Sequence, residues 1–247
     1  MTATARLRAS ITGLIGWAAT EEEMLLASAP EQEQGSHDRW AALPVVAHSA
    51  EFREQQVIRL AAVRRGQAPP AGSEIDHRSP ATYRSYASAS AAEVRWASRR
   101  SASALIDELT AVSDDDLSDT SRHPWLRGRQ LWLQVVVRGF WHPTGHLADY
   151  HIARGHADRA VALQSHALAT ARYLAVPSPA VGMAAYSLAC ALAQAGAAAE
   201  AARTLAEAIR LNPDLRGNAR RDPDLAGLRD GGHLDMLLGP AANDAGP

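Results

Sequence analysis

At 247 residues the chain can build one large or two modest cores, and 47% hydrophobic with only 5% aromatic residues is a globular composition rich in small helix formers. A formal charge of -2 and a pI near 6.5, with no run of basic residues, exclude nucleic acid drawn in by a basic field. All 25 basic residues are Arg, which excludes lysine Schiff-base chemistry and a Walker-type phosphate loop, and the lone Cys190 excludes an intrachain disulfide.

Arg6 and Arg8 precede the apolar run Ile11 to Ala19, an order that superficially suits a signal peptide. Glu21, Glu22 and Glu23 follow at once and Met24, Leu25 and Leu26 continue a helical pattern, so the segment reads as an amphipathic first helix of about 25 residues. No window reaches the roughly 18 apolar residues of a membrane span, so no membrane partner and a cytoplasmic location are expected. The stretch SAPEQEQGSHD then interrupts with Pro and Gly. A second helix runs from about Ala41 to Gly66, with Val45, Val46, Phe52, Val57, Ile58, Leu60 and Val63 as its apolar set. After the Pro-rich GQAPPAGSEIDHRSP, a third spans Ser88 to Leu109 with Val94, Trp96, Ala97, Leu105, Ile106 and Leu109 inward. The polar loop SDDDLSDTSRHP separates it from a fourth that starts at Leu131. With no alternating strand pattern in this part, the expected fold is all-α, opening with an antiparallel four-helix bundle over residues 1–155.

Beyond Gly155 alanine dominates. Leu188, Ala189, Gly196, Ala201, Leu205, Ala208 and Pro213 stand at the offsets of a 34-residue tetratricopeptide (TPR) repeat, in which small residues let two helices pack closely. Its aromatic slots hold Ala185 and Leu192. A partial copy at Leu147, Ala148, Gly155 and Ala160 sets the two glycines 41 positions apart, so its first helix overlaps the last bundle helix. Residues 156–247 are therefore expected to form a TPR-like array, with RLNPDLRGNARRDPDLAGLRD as its C-terminal cap. An array this short should lean on the bundle. Cys190 fits the small-residue side of a repeat helix, as packing.

Within the fourth helix the stretch FWHPTGHLADYH places His142 and His146 one turn apart on one face, a spacing that can chelate a metal ion. Pro143 between them removes a helix hydrogen bond, so it either starts a helix there or kinks a longer one. In WAALPVVAH, His48 stands near the start of the second helix, where a packed core imidazole is the plainer reading. Glu51, Glu54 and Asp149, all near the histidines, are candidate bases or orienting carboxylates, and Trp40, Phe52 and Trp141 candidate pocket walls. His151 and His156 read as packing or surface residues, and His77 and His123 as loop residues without a role.

Trp40 followed by His48 and Phe52, together with the later His-x-x-x-His, resembles the DinB-like metal-binding four-helix bundles, and LTAVSDDDL is similar to the ClbS/DfsB-type branch. The resemblance covers roughly residues 4–160, from which the TPR pattern and Pro143 depart. It implies that His48, His142 and His146 ligate one divalent metal, Zn in the first place, with Ni, Mn or Fe as alternatives. Three imidazoles leave a fourth position for water, whose pKa the ion lowers towards about 7, or for an external low-molecular-weight thiol. The implied function is a metal-dependent hydrolase or thiol transferase acting on a small electrophilic or antibiotic-like molecule, as in detoxification or self-resistance. A homodimer is compatible with it. The rival reading is a non-catalytic module that binds a peptide or protein partner through its TPR region.

Overall fold

The computed structural model describes residues 2–30, 33–70 and 80–239. All regular structure among them is helical, and no helix among them is long and apolar enough to cross a membrane. The chain divides into two compact units, residues 1–150 and 151–247.

The first unit opens with α1 (Ala3–Ser28), capped by the Thr2 hydroxyl, which accepts from the Ala5 N–H. Helix α2 (Ala42–Arg64) has no cap of its own, because Ala41 occupies the N-cap position. The Glu33 carboxylate takes that role from the preceding loop, accepting the Ala42 N–H at 2.7 Å and the Tyr150 hydroxyl at 3.0 Å. A short helix α3 (Pro80–Ala87) follows, a piece of structure where the sequence suggested only a connection. Ser90 and Glu93 form a reciprocal capping box that starts α4 (Ala91–Ala111), two to three residues later than the apolar pattern indicated. One turn, α5 (Asp114–Ser118), leads to a continuous helix in three parts: α6 (Leu131–Val136), a π turn (Val137–Trp141) and α7 (His142–Ile152).

In this unit α2 packs along α4, α4 along α1, and the π turn against α1 and α2. Ile11, Ile15, Val46, Leu60, Leu105, Leu109, Val135 and Phe140 are buried among them. Two residues assigned inward by periodicity face water instead: Ile58 is 53% and Trp96 60% exposed. On α4 the buried stripe is Val94, Ser98, Ser101, Ala102, Leu105 and Leu109, and Trp96 lies off it under the Arg100 guanidinium, 4.6 Å from the ring centre. The two serines are inward because they serve a buried ion pair. Arg53 donates from Nη1 and Nη2 to Glu22 at 2.7 and 2.6 Å and from Nε to Ser101 at 3.0 Å, while the Ser98 hydroxyl donates to Glu22 at 2.6 Å. Neither charged side chain is accessible.

The second unit contains α8 (Ala157–Tyr173), α9 (Ser178–Gln194) and α10 (Ala198–Leu211), followed by the short helices α11 (Leu215–Ala219), α12 (Ala226–Asp230) and α13 (His233–Leu238). Helix α9 packs against both α8 and α10. Its contact with α10 is close because a side chain at Gly182 would meet the Asn212 Cβ at 2.8 Å and the Ala208 oxygen at 2.9 Å. Gly196, at φ +77°, closes α9, and the next N–H, of Ala197, bonds back to the Leu192 oxygen. Ala185, Ala189, Ala201, Leu205 and Ala208 are fully buried around that turn.

Candidate metal centre

The site is assembled from two long helical pieces and one short one. His48 and Phe52 lie one turn apart on α2, His142 and His146 one turn apart on α7, and Tyr83 and Tyr86 on α3. Pro143 is the second residue of α7, inside the continuous helix and directly after its π turn. In a straight α-helix its ring would press on the Gly139 carbonyl and its missing N–H would leave an acceptor unused. The backbone widens just ahead of it, so that the His142 N–H bonds five residues back, to Val137. Gly139, within the widened turn, lets the helix approach α1 and α4, since a Cβ there would stand 2.8 Å from Ile15 and 3.0 Å from Leu105.

The three imidazoles come together. Their ring centres are 4.9 Å apart for His48 and His142, 4.7 Å for His48 and His146, and 4.5 Å for His142 and His146. Nε2 of His142 lies 3.1 Å from Nε2 of His48, and one ligand atom from each of the three rings falls within 4.8 Å of the others. This group can hold a metal ion. His48 is fully buried while His142 and His146 are half-buried, so what exposure the group has comes from its two ligands on α7.

Aromatic rings hold the imidazoles. Phe52 stacks on His142 at 4.0 Å and 17°, and Trp40 lies parallel to His146 at 6.3 Å and edge-on to His48 at 5.3 Å. The Arg138 guanidinium covers Phe52 at 4.4 Å, and the Trp40 indole donates to the His37 oxygen at 3.0 Å. Tyr83 and Tyr86 pack against Trp40. Tyr83 also lines a cleft of about 390 Å³ bounded by Leu26, Glu33, Ala41, Pro44 and Arg95.

The candidate carboxylates separate. Glu51 reaches the site indirectly: the Tyr86 hydroxyl donates to its Oε2, and Nδ1 of His48 lies 3.3 Å from the Tyr86 oxygen. Burial, then the hydrogen bond to Glu51, holds the Tyr86 pKa well above its usual range. Glu54 is instead ion-paired with Arg100 at 2.7 Å, and Asp149 is exposed on α7 outside the ligand group. Trp141 is half-buried in the π turn. His123, read as a loop residue, is buried with Nε2 at 2.9 Å from the Asp116 oxygen, whereas His77 lies outside the described residues. Cys190 lies in the second unit, 4.0 Å from an Asp222 oxygen that also accepts the Tyr186 hydroxyl at 2.7 Å.

Tyr83, Tyr86 and Arg138 escaped the reading of the sequence. The i,i+3 tyrosine pair in ATYRSYA, directly after a proline able to start a helix, was the available signal. Comparison of the chain with protein-family models, curated proteins and solved structures returns no match.

Proposed function

We propose that the chain is a metal-dependent enzyme of the DinB-like type, with a four-helix bundle in its first unit and a TPR-like helical array in its second. His48, His142 and His146 hold one divalent ion, Zn in the first place. The observation that carries this reading is the 3.1 Å between the His48 and His142 Nε2 atoms, with His146 beside them. Two nitrogens about 2.0–2.1 Å from one ion, at an angle between octahedral and tetrahedral, stand about 2.9–3.4 Å apart. When bound, such an ion supplies Lewis-acid chemistry, lowering the pKa of a water or thiol and polarising an electrophile.

The chain's own residues bind, orient and shield. Phe52 stacks on the His142 ring and Trp40 lies parallel to the His146 ring, while the partial exposure of His142 and His146 admits a small reactant. The cleft beside Tyr83, with Arg95 and Glu33 among its lining residues, offers space for the body of a small molecule of mixed polarity. The substrate class is a small electrophilic or antibiotic-like compound, attacked by water in a hydrolase or by a borrowed low-molecular-weight thiol in a transferase.

Protein purified without a histidine tag is expected to carry about one equivalent of divalent metal by elemental analysis. His142→Ala should lose most of it and keep its far-UV helical signal, because the ligands sit on helices that pack without them. Unmodified protein that takes up no Zn, Ni, Mn or Fe would overturn the reading and leave the partner-binding alternative. Incubation with electrophiles, with and without thiol, separates the two reactions: thiol-dependent consumption marks a transferase, thiol-independent consumption a hydrolase.

A further inference from the structure

The geometry points to Tyr86 as a positioning residue of the metal centre: with Glu51 it fixes His48 in the tautomer whose Nε2 lone pair faces the ligand group. This rests on the metal reading above. A carboxylate only accepts, so the single hydroxyl proton of Tyr86 is committed to Glu51 Oε2. The Tyr86 oxygen is then left with lone pairs, and the His48 Nδ1 that lies 3.3 Å away must be the donor. A neutral imidazole protonated at Nδ1 carries its lone pair at Nε2. That nitrogen is the one 3.1 Å from His142.

The arrangement also explains the carboxylate. Glu51 stands one turn beyond His48 on α2, and its second oxygen accepts from the Gln55 amide at 3.4 Å. Engaged at both oxygens, it is built to orient a neighbour rather than to shuttle protons. A ligating histidine commonly donates its other N–H to an oxygen that sets its rotation and raises its basicity. Here that oxygen is a phenol from a separate helix, itself aimed by a carboxylate from the ligand's own helix. Helix α3 buries no residue of its own and packs on α2, so its two tyrosines, set against Trp40, are what tie it to the site.

The test compares Zn affinity, by competition with a chromophoric chelator, in the unmodified full chain, Tyr86→Phe, Glu51→Ala and the double variant. Tyr86→Phe keeps the ring against Trp40 and removes only the oxygen. Glu51→Ala keeps Tyr86 whole but frees its proton to turn towards His48. Each is expected to weaken Zn binding about 10–100-fold, the double variant no more than either alone, with the helical signal of the metal-free proteins unchanged. Nitrogen-detected NMR of the metal-free chain should show His48 protonated at Nδ1, and at Nε2 in Glu51→Ala. A Tyr86 that served packing alone would leave Glu51→Ala with full affinity and an unchanged tautomer, and that result overturns the inference. So does full affinity in Tyr86→Phe. If the unmodified chain binds no metal, the metal reading falls and the positioning role with it, an outcome separable from the others because it appears before any substitution.

Discussion

In residues 2–150 the helices close over charged and polar groups, whereas the core of residues 151–239 is alanine and leucine. The first unit buries the Glu22 and Arg53 pair, Ser98, Ser101, His48 and Thr144. The second surrounds Ala185, Ala189, Ala201, Leu205, Ala208, Leu225 and Leu228 with further apolar side chains, and Gln164 and Thr170 are its buried polar residues among those described. Desolvating a charge is costly unless each donor and acceptor finds a partner, so the first unit depends on geometry of hydrogen bonds. The second depends on closeness of backbones, which any added volume disturbs. Each therefore has its own point of weakness.

The largest expected effect is on the buried ion pair. Arg53→Met strands Glu22 without its bidentate partner and should cost about 3–5 kcal/mol in chemical denaturation, while Arg53→Met combined with Glu22→Leu should recover most of that loss. A single variant that unfolds within about 1 kcal/mol of the parent would show that water reaches the pair. In the second unit, Ala189→Leu adds volume at a fully buried position of α9 and should cost about 1–3 kcal/mol, read from the same denaturation curves. If it stabilises instead, the unit is looser than its burial indicates.

The smallest effect sharpens the contrast by titration. Burial, then the nearby charges of Arg159, His156 and Arg154, lowers the His151 pKa from 6.5 to about 4. The unfolded chain binds the proton more readily between those values, so stability present above pH 6.5 is lost as pH falls towards 4. His151→Gln should flatten that part of a plot of thermal midpoint against pH. An unchanged slope would assign the acid sensitivity to other groups.

The helical character of the chain was legible because apolar periodicity, Gly at helix ends and Ser at helix starts act over a few residues. The i,i+4 spacing likewise puts His142 and His146 on one helix face without any help from the rest of the molecule. Trp96 and Ile58 show the limit of the same rule: the buried stripe of α4 runs through Ser98 and Ser101, and a serine reads as surface until its partner is known.

What only the tertiary structure decided are the relations between distant segments. The π turn arises where Pro143 and the close approach at Gly139 meet, a combination that residue-by-residue propensity does not register. The approach of His48 to a pair 94 residues further on depends on how α2 and the π-turn helix pack, with Glu33 joining the start of α2 to Tyr150 at the end of α7. Tyr86 and its proton-donating link to Glu51 exist only because α3 lies on α2. Short-range chemistry is written in neighbouring residues, whereas the direction of a hydrogen bond and the meeting of three rings are set by packing across the whole unit.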